Sequence, residues 1–505
     1  MKTVLHYLEE SAARFPDKIA VIDETGSCTY RSLLRNSRQM ASALSHTLSP
    51  GQGVILLMDK SIATLTAMMA VVSAGGFYSV FSPHLPQHRL RQMQATLAAS
   101  LVLAPAALFN DARQIFSDTP VLCLEDLGQG AIDDRRLARI RAQMLDVDPL
   151  YVNFTSGSTG QPKGVVVSHR SVVDFIDVFT RLFSIQSEDI IGNQAPFDFD
   201  VSVKDIYSAM KTGAQLVILP RALFSQPAQL LDRLVSHQVT TLIWAVSALS
   251  LVCTFHALQY RVPHSVSKVL FSGEVMPPSH LRQWMEALPE ALFVNLYGPT
   301  EITCNCTYHI VDRSRTYPHG LPIGKAFPNE EVFLLDSYQK RIDKPHVRGE
   351  ICVRGSALAL GYINNEEQTA ARFVHNPLQS RFPQTLYRTG DLGYLNSQGE
   401  LMFCGRQDFQ IKLQGHRIEL EDIEHAMQTL PQVEQCRCVY DGCRIHAFYC
   451  GQAQPETLRK ELAMQLPGYM IPARLNQLDR MPLNANGKID RSALLALTGG
   501  KTNEH

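Results

Sequence analysis

The sequence predicts an α/β protein, with a large N-terminal domain of parallel-rich sheets covered by helices and a small α+β domain after it. Three observations carry this expectation. Helix-period and strand-period segments alternate from Val4 to Asn295, which is the pattern of strands covered by crossover helices. The chain has 505 residues, more than a single hydrophobic core accommodates. The pattern then changes character near Gly405-Arg-Gln-Asp408.

Val4–Phe15 spaces its apolar residues as an amphipathic helix does, and Lys18–Ile22 reads as a strand. Tyr30–His46 follows as a helix, Gly53–Met58 as a strand, Ser61–Ser73 as a helix and Phe77–Phe81 as a strand. The run Ser61–Gln87 contains no Asp, Glu, Lys or Arg. Its Gly75-Gly76 pair and two prolines divide it into helix, turn and buried strand rather than a membrane span. The β-branched Val165–Val167 is a further strand. The rhythm returns with Gln229–His237 (helix), Thr240–Trp244 (strand), Ser279–Ala287 (helix) and Leu292–Asn295 (strand). Ligands of open α/β sheets sit at the carboxyl ends of strands, and Tyr297-Gly-Pro-Thr-Glu301 directly follows one. Beyond Asp408 come the strand Gln410–Leu413, a turn at Gly415, the helix Glu419–Gln428 and a strand-rich tail. The expected domains are 1–407 and 408–505.

Hydrophobic residues make up 45% and charged residues 19%, with a formal net charge of -1. No global field recruits nucleic acid or an anionic membrane, so any phosphate recognition is local. Glu9 and Glu10 stand where a signal peptide needs apolar residues, so a cytoplasmic location is expected. Eleven cysteines in that setting read as reduced thiols. Cys436, Cys438, Cys443, His446 and Cys450 are metal-ligand types, but they lack Cys-x-x-Cys spacing and lie on two strands around an Asp441-Gly442 turn. No metal is expected there.

Chemistry concentrates in Thr155-Ser-Gly-Ser-Thr-Gly160 and the Lys163-Gly164 that follows. Glycines bring backbone N–H groups close to an anion, hydroxyls add donors, and the lysine adds a point charge. That combination suits a polyphosphate. Its lysine is placed differently from that of a P-loop.

Further along stand Tyr297-Gly-Pro-Thr-Glu301, Gly349-Glu-Ile-Cys-Val-Arg-Gly355, Tyr387-Arg-Thr-Gly-Asp391, Gly405-Arg-Gln-Asp408 and Asn486-Gly-Lys488-Ile-Asp-Arg491. With this ordered set the chain resembles the adenylate-forming enzymes, nearly from end to end. That superfamily comprises acyl-CoA synthetases, firefly luciferases and the amino-acid adenylation domains of nonribosomal peptide synthesis.

The resemblance implies ATP and Mg²⁺ as cofactors and a carboxylate attacking the α-phosphorus. Thr155, Ser156, Gly157, Ser158, Thr159 and Lys163 match the pyrophosphate-gripping loop. Glu301 matches the Mg²⁺-associated glutamate, and Thr300 the residue beside the α-phosphate. Gly273, Asn295 and Tyr297 fall in the nucleotide site, Tyr297 by stacking on adenine. Asp391 matches the acceptor of both ribose hydroxyls, with Arg406 as a further ribose or phosphate contact. Taken alone Lys488 reads as a solvated surface lysine. The resemblance instead gives it the substrate carboxylate and the α-phosphate together. In the family the small domain is mobile and swings about the residue matching Asp408. That motion exchanges the lysine for the loop matching Gln414-Gly415-His416 between the two half-reactions.

Phe199-Asp200-Val201-Ser202-Val203 resembles the amino-acid branch, where an aspartate pairs with the substrate α-ammonium, here Asp200. The remaining pocket positions carry over to Val201, Lys204, Ile243, Leu270, Ser272, Leu296, Cys304 and Asn305, closed by Lys488. Leu270, Ser272 and Leu296 look like serine-activating pockets. Lys204 and Ile243 depart from them, standing where such pockets have Trp and His. Lys204 either pairs with an acidic substrate side chain or snorkels to solvent. Segments 193–200 and 409–419 resemble D-alanine:carrier-protein ligases, although Ser272 replaces their usual cysteine.

A small amino acid is therefore the expected substrate, with serine first, alanine of either hand next and aspartate third. A separate carrier protein bearing phosphopantetheine is the expected acceptor, since no carrier segment follows the lysine loop. The alternatives are an acyl-CoA ligase, a non-catalytic scaffold of the same fold and, more remotely, a luciferase-like oxygenase.

Overall fold

A computed structural model describes residues 3–156, 161–318, 320–483 and 489–499. A seven-stranded sheet runs in the order Gly361–Tyr362, Lys163–Ser168, Pro149–Thr155, Phe77–Phe81, Gly53–Leu57, Leu101–Ala104, Val121–Cys123. Gly53–Leu57 and Phe77–Phe81 pair in parallel and are buried at every residue, as apolar runs covered on both faces are. Between them Ser61 caps the helix Ile62–Ser73 by accepting the Thr64 N–H. That helix is buried from Thr64 to Val72, so the charge-free run is core. No helix among the described residues is long and apolar enough to cross a membrane.

The nine-stranded sheet is ordered Lys325–Ala326, Thr307–Ile310, Leu292–Tyr297, Lys268–Ser272, Thr241–Ala245, Ile190–Asn193, Gln215–Ile218, Ile19–Ile22, Ser27–Thr29. Its middle pairs are parallel and its edges antiparallel. Alternation divides its side chains between two cores. Ile243, Leu270, Val294 and Leu296 enter one, and Leu242, Trp244, Val269 and Phe271 the other. The helix Val201–Thr212 adds Val203, Ile206 and Tyr207 to the first core.

A third sheet of six strands, built on Glu330–Leu335, Gly349–Gly355, Thr385–Leu395 and Leu401–Arg406, is antiparallel. Sequence periodicity marked motifs here without predicting the sheet. The reason lies in the strands themselves. Register shifts interrupt the alternation at Glu350/Cys352 and at Asp391/Gly393, which blurs the two-residue period.

The described residues fall into two compact units, one within 1–83, 97–153 and 164–407, the other within 84–96, 154–163 and 408–505. The second contains the hairpin Gln410–Leu413 and His416–Glu419, the helix Leu420–Gln428, and a sheet of Val433–Tyr440, Ile445–Gly451 and Arg474–Gln477. Its core includes Ile418, Ile423, Cys436, Cys438, Tyr449 and Leu462. Cys436 and Cys438, two residues apart, share the inward face, and His446 lies 2.7 Å from Asp441 Oδ2.

Candidate active site

Parallel strands bring Ile243, Leu270 and Val294 into register across three neighbours, with Ser272 opposite Ala245. The helix Val201–Thr212 starts at Asp200 and packs its first turns against this face. Lys204, on that first turn, is 0% exposed. It donates from Nζ to Asn305 Oδ1 at 2.7 Å and to Ser272 Oγ at 3.4 Å. Snorkelling to solvent is thereby excluded, because the aliphatic stem runs inward along the core and the ammonium ends among polar groups beneath the surface.

Cys304 donates from Sγ to the Asp200 carbonyl at 2.9 Å, joining the helix start to the segment that carries Asn305. Burial pushes the Cys304 thiol well up, and the neighbouring Asp200 adds to the effect. Thr303 and Cys304 have φ of 49° and 77°, strained values for side chains with a Cβ. This reversal aims Asn305 back at Lys204. It also explains Gly298, where a Cβ would meet Asn305 Cα at 2.4 Å. The segments touch backbone to backbone, and only glycine fits. Ser272 and Asn305 thus meet at Lys204 and Cys304 at Asp200, Ile243, Leu270 and Leu296 lie in the core that this helix packs against, and Val201 follows Asp200 as the first residue of the helix.

Of the residues expected around the nucleotide, Tyr297, Asp391 and Arg406 are linked to one another. Asp391 and Arg406 are cross-strand partners, and Arg406 Nη1 donates to Asp391 Oδ1. Tyr297 Oη donates to Asp391 Oδ2. Burial raises the Tyr297 phenol far above its usual range, and Asp391 raises it further, so it stays a donor. Both carboxylate oxygens of Asp391 are therefore engaged. Asn295 donates to the Pro322 carbonyl at 2.8 Å, and Gly273 has φ 100° at the end of its strand. Thr300 and Glu301 form a single 3₁₀ turn. Glu301 is 0% exposed and accepts from Tyr362 Oη at 2.8 Å. Its backbone carbonyl accepts from the Ala359 N–H at 2.9 Å.

The phosphate-loop residues that the structure describes belong to the second unit. Ser156 Oγ donates to the Arg417 carbonyl at 2.8 Å and accepts from the Glu419 N–H at 3.0 Å. Lys163 Nζ lies 3.9 Å from Glu419 Oε1. Thr155 Oγ1 is buried without a hydrogen-bond partner. Asp408 Oδ1 accepts from the Gln410 N–H at 3.4 Å. Gly157, Ser158, Thr159 and Lys488 lie outside the described residues.

The family model for AMP-binding enzymes matches residues 8–363, which contain most of this constellation. The chain belongs to the AMP-binding enzymes. It is 31% identical over 522 residues to zwittermicin A synthase ZmaJ of Bacillus cereus, covering 100% of this chain and 97% of that protein. It is 34% identical over 515 residues to tyrocidine synthase 3 of Brevibacillus parabrevis, covering 99% of this chain but 8% of that protein. The chain therefore spans a small part of that larger synthase and nearly all of ZmaJ. Among solved structures it is similar to holo-PA1221, an NRPS protein containing adenylation and PCP domains, with a TM-score of 0.83 and 27% identity over 98% of this chain and 84% of that one. The Vibrio cholerae adenylation domain AlmE shares the fold, with a TM-score of 0.83 at 23% identity over 99% of this chain and 98% of that one. The fold is the mixed α/β adenylation-domain fold, and this AMP-binding enzyme is of the nonribosomal peptide synthetase type.

Several residues that serve this site escaped the sequence reading. Asp205 is 0% exposed, and its Oδ2 accepts from Asn193 Nδ2 at 2.7 Å. Burial raises its carboxyl to about 7, against the opposing pull of Asn193, Lys204 and Lys60. Burial lowers Lys60 to about 7, and Lys60 donates to the Gln194 carbonyl at 2.6 Å. Tyr362 holds Glu301 from a strand edge. No motif marked them, because Lys60 reaches Asn193 across 133 residues of chain.

Proposed function

We propose that this AMP-binding enzyme activates a small amino acid with ATP and Mg²⁺ as aminoacyl-AMP. It then transfers the aminoacyl group to the phosphopantetheine thiol of a separate carrier protein. Asp200 pairs with the α-ammonium. Glu301 holds Mg²⁺, and Thr300, Thr155, Ser156 and Lys163 surround the phosphates with Gly157, Ser158 and Thr159. Gly273, Asn295 and Tyr297 frame the base, while Asp391 and Arg406 hold the ribose. Lys488 stabilises charge that builds on the α-phosphate. Residues 1–407 carry both binding sites, and 408–505 form the mobile domain that turns about Asp408.

The observation that carries the amino-acid reading is Asp200 at the start of the helix that supplies Lys204 to a polar-floored pocket. A fatty or aryl acid has nothing to pair with that half-buried carboxylate, and covering it with a ligand that offers no cation is costly. Serine is the first choice of substrate, followed by alanine or D-alanine, then aspartate. Lys204, already hydrogen-bonded to Ser272 and Asn305, needs no acidic substrate to satisfy it.

The test is mass-spectrometric detection of the product formed from ATP, Mg²⁺ and a panel of acids. Aminoacyl-AMP from a small amino acid is the expected product. Adenylates formed only from fatty or aryl acids, and discharged only by CoA, would replace this reading with the acyl-CoA ligase alternative.

A further inference from the structure

The turn that carries Glu301 leans on one short stretch of chain, residues 357–362. Ala359 donates its N–H to the Glu301 carbonyl at 2.9 Å, and the Ala357 carbonyl accepts from Thr303 Oγ1 at 2.7 Å. Tyr362 Oη donates to Glu301 Oε1 at 2.8 Å, with both residues buried. The first two bonds fix the turn, and the phenol fixes the carboxylate it carries. A carboxylate that holds Mg²⁺ is ionised and only accepts, so the phenol is the donor and the bond is charge-assisted.

Tyr362 is itself anchored. It lies on the edge strand Gly361–Tyr362, opposite Val165 on the strand Lys163–Ser168. Leu360 donates to the Val166 carbonyl and Ile363 to the Gly164 carbonyl, both at 2.8 Å. The Tyr362 N–H donates to Thr369 Oγ1 at 3.0 Å, and its ring packs edge-on against Phe373 with centroids 5.8 Å apart. Gly164 directly follows Lys163 in the chain. One tyrosine thus joins the strand that leaves the phosphate loop to the carboxylate that ends Tyr297-Gly-Pro-Thr-Glu301.

A carboxylate held in this way fits Mg²⁺, a hard cation usually bound by one or two carboxylates together with substrate phosphates. With so few protein ligands, the hydrogen bonds that orient each one count heavily. We infer that Tyr362 is a positioning residue for the metal–phosphate end of the nucleotide site. It fixes the Glu301 carboxylate relative to the strand that leaves the phosphate loop, and through Glu301 it sets how tightly Mg²⁺ binds together with ATP.

The inference rests on the proposed role of Glu301, and one experiment tells the two apart. Binding of the non-reacting analogue α,β-methylene-ATP to the full chain is followed by calorimetry across a Mg²⁺ series and in EDTA. Wild type, Tyr362→Phe, Glu301→Gln and the double variant are compared. No amino acid is present, so the result does not depend on which acid is activated. In wild type Mg²⁺ should tighten binding. Tyr362→Phe keeps the ring against Phe373 and loses only the donor. It should raise the Mg²⁺ concentration needed for half of that tightening roughly ten- to hundredfold, the usual cost of removing a group that orients a metal ligand. Binding in EDTA should be unchanged. Glu301→Gln should lose most of the tightening, and adding Tyr362→Phe to it should change nothing further.

An unmoved Mg²⁺ midpoint in folded Tyr362→Phe overturns the inference. So does a loss of binding that is equal with and without Mg²⁺, the signature of a merely structural role, or an effect that persists in the double variant. If Tyr362→Phe does not fold, Thr369→Val takes its place, since it removes the acceptor of the Tyr362 N–H. It should shift the midpoint in the same direction, and no shift there overturns the inference. Glu301→Gln with wild-type Mg²⁺ dependence would overturn the role of Glu301 itself, and this inference with it.

Discussion

Asp200 and Lys204 lie one helical turn apart, and their chemistry differs with their surroundings. Asp200 awaits a cation from the substrate, whereas Lys204 is already satisfied by the protein. Asp200→Ala should therefore abolish amino-acid-dependent exchange while leaving nucleotide binding nearly intact. Truncating one member of a buried charge pair costs about 2–5 kcal/mol, or tens to thousands of fold in kcat/KM. Unchanged exchange in that variant would contradict the amino-acid reading. Asp391 is a different case, since its oxygens hold Tyr297 and Arg406 before any ligand arrives. Asp391→Ala takes the carboxylate away from an Arg406 guanidinium that is 12% exposed, and breaking a buried pair costs up to about 3–5 kcal/mol. It should lower the melting temperature as well as ATP binding, and thermal unfolding followed with and without ATP separates the two losses.

At the scale of elements, the reversal at Thr303-Cys304-Asn305 depends on Gly298. Gly298→Ala forces a Cβ against backbone at 2.4 Å, so the segments must separate. Overpacking of this kind costs about 1–3 kcal/mol. The variant should raise the amino-acid KM more than the ATP KM, because Asn305 moves away from Lys204. Equal effects on both would place the strain elsewhere.

The strand Glu330–Leu335 carries a second dependence. Glu330 Oε1 accepts from the Ala357 N–H at 3.0 Å, and the Ala357 carbonyl accepts from Thr303 Oγ1 at 2.7 Å. Burial raises the Glu330 carboxyl from its ordinary 4.5 to about 8. A raised folded value means that the folded state binds the proton more tightly. The resulting stability is fully present below about pH 4.5 and is lost as pH rises through about 8. Glu330→Gln removes that loss. It should raise the melting temperature relative to wild type at pH 8–9, with the advantage shrinking toward pH 5. A constant difference across this range would contradict the assignment.

The alternating helices and strands of the first three hundred or so residues were legible because fully buried parallel strands and their covering helices have distinct periods. Pocket residues such as Leu270 and Ser272 were legible through motif position. The third sheet was not, because register shifts at Asp391/Gly393 and Glu350/Cys352 break the period that would reveal it. Lys60 was invisible too, since its contact with Asn193 spans 133 residues of chain.

For the whole molecule, the proposed division of labour between 1–407 and 408–505 predicts unequal effects of Lys488→Ala. Adenylate formation should fall by about 2.7–4 kcal/mol of barrier, the cost of one preorganised charge at a developing anion. Transfer from a preformed aminoacyl-adenylate to the carrier thiol should be far less affected. Single-turnover rates of each half-reaction check this, and equal losses would contradict domain alternation.

The measurement that bears most directly on the central claim is ATP–pyrophosphate exchange over a full amino-acid panel including D-alanine, run beside fatty and aryl acids. The account predicts exchange that depends on a small amino acid, with serine foremost, and none with the other acids. Exchange driven only by fatty or aryl acids, or none with any amino acid, would contradict it.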